Sequence, residues 1–376
     1  MIKVAVLYRV IQHWRAPMFK RISDIEDVDL TVYYGADFEG TKVVSGKDFN
    51  FKTKKMRTIK ITKKAGSSSG RMMPYCPFLF FQLIKDCPDV VLSEGSSNFV
   101  NAIQGLLYAK LFRKKFIWWG LGRLRDKFYE KSRKNDFING IEKKCDAQLC
   151  YSSYAKDYYN YIGIPDEKIF VAVNVVDTDK IATKTNGELF KAAKNEAHPF
   201  TVLFVGALEP NKKVNMLIRA FGKFVKKHAD AKLDIVGKGS SSDSLRKLVE
   251  SEHVENVTFH GQVIEGLEQF YAKADVFVLP GLGGLAISEA MAYGLPVIAS
   301  VGDGCEVDLI KNGENGFRNP ELGEDDIVDY LNQMYDNPEL LEKMKKKSLE
   351  IIESEHNDHT YINAINRAIH YVYNSK

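Results

Sequence analysis

The chain has 376 residues, 45% of them hydrophobic and 27% charged. That length suggests two domains, each with a sizeable core, and the composition is ordinary for a globular protein. The longest apolar run, Cys76 to Ile84, is short and interrupted by Gln82, which excludes a bilayer-spanning helix.

The net charge of +4 hides an asymmetry. Residues 1–184 carry 32 cations against 20 anions (+12), whereas residues 185–376 carry 21 against 29 (−8). Two stretches concentrate the positive charge: Lys42 to Lys64, and Arg113 to Lys134 with Phe116, Trp118, Trp119, Phe128 and Tyr129 interleaved. Such a half suits an anionic partner, whether membrane lipid, a pyrophosphate-linked substrate or nucleic acid; a plain solvated face is the other reading. The five cysteines form no CxxC pair and read as reduced cytosolic thiols. Met1-Ile-Lys leads straight into VAVLY, with no secretory pattern, so the expected location is the cytoplasm.

In chain order, strands are predicted at 2–9, 29–35, 89–95, 115–120, 147–153 and 168–174. The intervening segments are mostly long enough for helices, which implies βαβ units and a mostly parallel sheet. Residues 177–199 are polar and read as a linker between a domain at 1–176 and one at 200–357. The second half repeats the alternation, with strands at 201–206, 232–237, 256–261, 275–280 and 296–300. Val214, Leu217, Ile218, Phe221, Phe224 and Val225 share one face of a helix. Ile362, Ile365, Ile369 and Val372 do the same in the last segment, 358–376. The expected fold class is α/β: two doubly wound, Rossmann-like domains facing a cleft.

Leu279 to Ser300 reads strand, glycine loop, helix, glycine stop, strand, with glycines at Gly281, Gly283 and Gly284. A loop of this kind offers backbone N–H groups to a phosphate, and the helix dipole adds a favourable field. Ile287 and Met291 should face the core; Glu289, about 200° from them around the helix, should point away from it.

Four ordered segments carry a resemblance: LFVGALEPNKKVNMLIRAF, LDIVGKGSSSDSLRKL, NVTFHGQV, and LPGLGGLAISEAMAYGLPVIAS with the trailing GDGCEVDLIKNGENGF. Together with AQLCYSSYAKDYYNYIGIPDEKIFVAVNVVD in the first half, they resemble the family-4 retaining glycosyltransferases of GT-B fold, in a short-loop, bacterial surface-polysaccharide form. The resemblance implies that Lys213 contacts the donor diphosphate and that Glu289 accepts hydrogen bonds from the ribose, the two being the expected catalytic pair. It implies donor contacts from Gly281, Gly283, Gly284 and Leu285, and from Gly237, Gly239, Gln262 and Val263. It also implies transfer with retention, no metal or other cofactor, and a final helix crossing back to the first domain. The Asp177-Thr-Asp179 sequence is better explained as a helix start than as a metal pair.

Three departures stand out. Gly206 is followed by Ala207 where the family usually has arginine, so one phosphate cation is missing or is supplied by Lys212 or Lys238. The glycine loop is short, with Gly281 eight residues before Glu289 and no acidic partner for the donor hydroxyls. Leu121 stands where many relatives carry histidine. In the acceptor half, Arg9, His13 and Arg15 follow the first strand and Glu94 ends another. Arg15 could contact phosphate, and His13 could be a base or a plain loop residue. Trp119 and Arg123 could form a stacking platform for a sugar, or a core tryptophan and a surface arginine.

The expected activity is transfer of a hexose from a UDP- or GDP-linked sugar to a hydroxyl of a lipid-linked or growing surface glycan. The expected partners are the nucleotide sugar, a lipid-linked saccharide and an anionic membrane surface at the inner face of the plasma membrane; no motif supports nucleic acid. A nucleotide-sugar-binding regulatory or scaffold protein without turnover is the second reading. A sugar epimerase is the third, with only Glu94 and His13 as acid–base candidates.

Overall fold

A computed structural model describes residues 1–37, 45–46, 48–62, 72–95, 97–123 and 132–375. Phe128, Tyr129 and the basic residues Lys42, Lys47, Lys63, Lys64, Arg125, Lys127 and Lys131 lie outside the described residues. The chain divides into two units, Met1–Val173 with His359–Lys376, and Asn174–Asp358.

In the first unit, runs rich in Val, Ile and Leu form the inner strands, covered on both faces as parallel sheets require, and a short lysine-rich strand joins at one edge. They are β1 (Ile2–Tyr8), β2 (Val28–Tyr34), β3 (Thr53–Lys55), β6 (Val90–Glu94), β7 (Lys115–Gly120), β8 (Ala147–Cys150) and β9 (Ile169–Val171), in the order β3-β2-β1-β6-β7-β8-β9. All neighbours are parallel, with Val4 opposite both Leu30 and Val90. β4 (Ile59–Thr62) and β5 (Met72–Tyr75) pair separately as an antiparallel ribbon. The helices are α1 (Ala16–Ser23), α2 (Leu79–Asp86), α3 (Phe99–Leu111), α4 (Arg133–Glu142) and α5 (Ser153–Tyr161). Leu7, Leu83, Val91, Ala102, Phe116 and Trp118 belong to its core.

The second unit starts with α6 (Thr178–Thr185) and α7 (Glu188–Asn195), both inside the stretch read as a linker. Asp177 caps α6 by accepting the Lys180 N–H, which is the helix-start role its sequence suggested. The sheet is formed by β10 (Thr201–Val205), β11 (Lys232–Val236), β12 (Val257–Gly261), β13 (Val276–Leu279), β14 (Val297–Ala299) and β15 (Gly316–Arg318), in the order β12-β11-β10-β13-β14-β15. Every pairing is parallel. The intervening and following helices are α8 (Val214–Val225), α9 (Ser242–Ser251), α10 (Glu268–Ala272), α11 (Leu285–Ala292), α12 (Glu306–Leu309), α13 (Glu324–Tyr335) and α14 (Pro338–Ser354). The chain then re-enters the first unit through α15 (Asp358–Asn374), whose Ile365, Ile369 and Val372 are buried.

Both sheets have the doubly wound order in which strand direction of travel reverses beside the first strand of each unit. Ligands bind such sheets at that reversal, outside the carboxyl ends of the strands. The reversal lies between β1 and β6 in the first unit and between β10 and β13 in the second. No helix among the described residues is long and apolar enough to cross a membrane.

Candidate functional site

At the carboxyl edge of the second sheet, the loops after β10, β11, β13 and β14 are packed backbone to backbone. The Gly206 N–H donates to Val236 O (3.0 Å), Gly237 N–H to Gly261 O (2.7 Å) and Leu282 N–H to Asn211 O (3.0 Å). Glycine is demanded where these loops touch. A Cβ on Gly237 would lie 1.8 Å from Gly206 O, and its φ of 148° also disfavours other residues. A Cβ on Gly281 would lie 2.2 Å from Asn211 O. The short loop therefore leaves no room for an acidic side chain at 281.

Of the two adjacent lysines, Lys212 reaches the glycine loop. Its Nζ donates to the Leu282 carbonyl and lies 2.8 Å from where a Gly283 Cβ would be. Burial lowers its pKa, and the Asp303 carboxylate opposes that effect. Lys213 is exposed, and its backbone is left-handed (φ 54°) at the N-cap of α8. The side chain expected at the diphosphate is thus directed to solvent by a backbone conformation that sequence spacing does not reveal. Lys238, the other candidate for the missing arginine's charge, is also exposed.

Beyond the loop, Gly284 is the N-cap of α11, and Ile287 and Met291 are fully buried. Glu289 leaves that buried face as its position on the helix predicts and is half-buried. Burial raises its pKa, with the Tyr271 hydroxyl and Lys184 pulling the other way. Tyr271 stacks on Tyr293 at 4.5 Å, and α6 packs against α11. The segment read as a linker therefore helps to desolvate the candidate ribose-binding carboxylate. Gly239 packs on Leu208 O, Gln262 is exposed and Val263 is half-buried.

Asp303, in the loop after β14, and Glu306, which opens α12, were not among the expected site residues. Both Asp303 carboxylate oxygens lie 2.3 Å from where a Gly284 Cβ would be. The Cys305 Sγ is 2.9 Å from Asp303 Oδ1, and Glu306 Oε2 accepts the Gly304 N–H at 2.9 Å. Their signal was the acidic GDGCE segment, whose fold back onto the glycine loop needs the three-dimensional sheet order. An ammonium and a carboxylate thus flank one glycine loop.

The first unit's edge is different. Arg15 is 2% exposed, donates to the Tyr361 hydroxyl at 2.9 Å and lies over the Trp119 and Tyr151 rings. It is a buried strut rather than a phosphate contact. Burial pushes the Tyr361 phenol up to about 12, so it stays protonated beside the cation. Trp119 is 1% exposed, packed on Tyr8 and Tyr151, and has no free face for a sugar. Arg123 donates to Asn139 Oδ1 (2.8 Å) and Asn135 O (3.2 Å) and lies over Tyr158, so the two do not form an exposed platform. His13 is exposed, and Glu94 ends β6 with its Oε2 buried and without a hydrogen-bond partner among the described residues.

Residues 186–350 match the family described as glycosyl transferases group 1. An uncharacterized glycosyltransferase of Haemophilus influenzae is 30% identical over 152 residues, 39% of this chain and 43% of that protein. The alpha-monoglucosyldiacylglycerol synthase of Acholeplasma laidlawii is 28% identical over 159 residues, 40% of this chain and 38% of that protein. The match thus spans less than half the length of either relative. Among solved structures, Anabaena HepE in complex with UDP superposes with a TM-score of 0.73 at 16% identity, covering 97% of this chain and 98% of that one. The chain has a GT-B fold and is related to the group 1 glycosyl transferases.

Proposed function

We propose that this GT-B protein transfers a hexose from a nucleoside diphosphate sugar to a hydroxyl of a lipid-linked or growing surface glycan, with retention at the anomeric carbon. The observation that carries the reading is the glycine loop at the β10–β13 reversal, flanked by Lys212 and followed by the helix bearing Glu289. A leaving diphosphate gains negative charge as the glycosidic bond breaks. A fixed ammonium and the N-terminal N–H groups of α11 favour that charge in a partly desolvated site. In this reading Lys212, Gly283, Gly284 and Leu285 serve the diphosphate, Glu289 accepts from the ribose hydroxyls, and Gly237, Gly239, Gln262 and Val263 line the nucleotide. Lys213 keeps at most a long-range electrostatic part. UDP is the favoured nucleotide, since HepE was solved with it. The Acholeplasma relative's name supports a lipid acceptor, and the protein would work in the cytoplasm at the inner face of the plasma membrane.

Thermal shift with UDP-, GDP- and ADP-sugars tests donor binding, because a ligand of the native state raises its stability by mass action. Stabilisation by one class is expected, as is slow donor hydrolysis without acceptor. If none of the sugars raises the melting temperature, the reading fails. Binding without turnover against any acceptor would leave the scaffold reading in its place.

A further inference from the structure

A second surface lies outside the donor site, on α2 and α3. These helices run side by side in the same direction. Cys76 N–H donates to Asn101 Oδ1 (2.9 Å), and one turn later Phe80 N–H donates to Gln104 Oε1 (3.3 Å). Leu79, Leu83, Ala102 and Leu106 face inward and are buried. The outer rows are also apolar: Phe81 is 66% and Leu111 62% exposed, with Phe78, Ile84, Leu107 and Phe112 exposed around them. Isolated apolar side chains on a surface are common, but six large ones on two adjoining helices and their caps mark an interaction site.

Exposed cations rim this face, and the acids near it are paired. Lys85, Lys110 and Arg113 are exposed. α3 contains no acidic residue, and the one acid of α2, Asp86, is held by Lys54, Tyr33 and Gln82. Asp89 is held by Lys114 (2.7 Å), and Asp146 lies 3.6 Å from Lys110.

We propose that the α2–α3 face docks on a membrane that displays anionic lipid headgroups. Phenyl and leucyl side chains would enter the headgroup–acyl boundary while the rim cations meet phosphates. A second copy fits less well, because a two-fold contact across this face would gather two sets of Lys85, Lys110 and Arg113 around one interface. The inference rests on the proposed function only for its purpose, presentation of a lipid-linked acceptor; the docking is measurable without turnover.

The test is flotation of the full-length protein with phosphatidylcholine vesicles, with and without admixed phosphatidylglycerol. The wild type should float with the anionic vesicles and lose most binding in high salt. Leu107→Ser/Leu111→Ser and Lys85→Glu/Arg113→Glu should each lower the bound fraction roughly tenfold or more. Both should keep the wild-type melting curve and nucleotide-sugar shift, since they are exposed and lie in the other unit from the glycine loop. Absence of flotation, or undiminished flotation of both variants, overturns the proposal. A wild-type dimer that the leucine variant dissociates, without vesicle binding, overturns it in favour of a second copy. A missing nucleotide-sugar shift in the wild type would sink the proposed function instead, and flotation would still decide the docking.

Discussion

Lys212 and Lys213 are adjacent yet occupy opposite environments. The left-handed backbone at Lys213 directs its side chain to solvent, while Lys212 is drawn into the glycine loop. A non-glycine residue in that conformation costs about 1 kcal/mol. Lys213→Gly should therefore raise the melting temperature by a few degrees and leave the nucleotide-sugar shift intact, whereas Lys212→Ala should abolish most of that shift. Equal loss in both variants would return the diphosphate role to Lys213. Glu289 gives a pH-dependent prediction. Its carboxyl pKa is raised by burial, so its contribution to stability is full below the ordinary carboxyl range and is lost as pH rises through the folded pKa. At neutral pH the ionised group burdens the fold. Glu289→Gln should thus melt at or above the wild-type temperature at pH 7, with the difference closing on acidification, and should lose the nucleotide-sugar response. Melting curves across pH would show it; a Glu289→Gln that is destabilised at pH 7 contradicts the desolvation argument.

At the scale of elements, the long apolar strands were legible because strands buried on both faces read as continuous Val, Ile and Leu runs. β1, β6, β10 and β13 are of this kind. β3 and β15 were not legible: each has three residues, one rich in lysine and the other between charged segments, and only pairing with a neighbour makes them strands. The same limit applies to the site. The glycine loop could be read from its own residues, because phosphate-cradling loops have a local chemistry. Asp303 could not, since its place over Gly284 depends on β14 pairing beside β13. The loop packing makes its own prediction. Gly237→Ala would force a methyl against Gly206 O, where only backbone can yield. Overpacking of this kind costs roughly 1–3 kcal/mol, a fall of several degrees in the melting temperature. The loops after β10 and β11 should lose hydrogen-exchange protection first; an unchanged melt would mean that they separate more easily than their mutual hydrogen bonds suggest.

Across the whole molecule, the first unit is discontinuous: residues 1–173 are completed by α15, synthesised only after the entire second unit. Its packing uses Tyr361, Ala364, Ile365, Ala368, Ile369 and Val372, all buried. The Arg15–Tyr361 hydrogen bond fixes the start of this helix to the loop after β1, inside a ring of aromatic side chains. A buried guanidinium tolerates the loss of an acceptor poorly, because its desolvation is no longer offset. Tyr361→Phe keeps the ring and removes only the oxygen, so it should cost about 1.5–3 kcal/mol, the range for hydrogen bonds to charged groups. The loss should be confined to one unit. Amides of β1 and α15 should exchange faster, while those of β10 and β13 and the nucleotide-sugar shift stay as in the wild type. If β10 and β13 lost protection equally, the two units would unfold as one cooperative body, and the C-terminal helix would stabilise the donor site as well as the unit it completes.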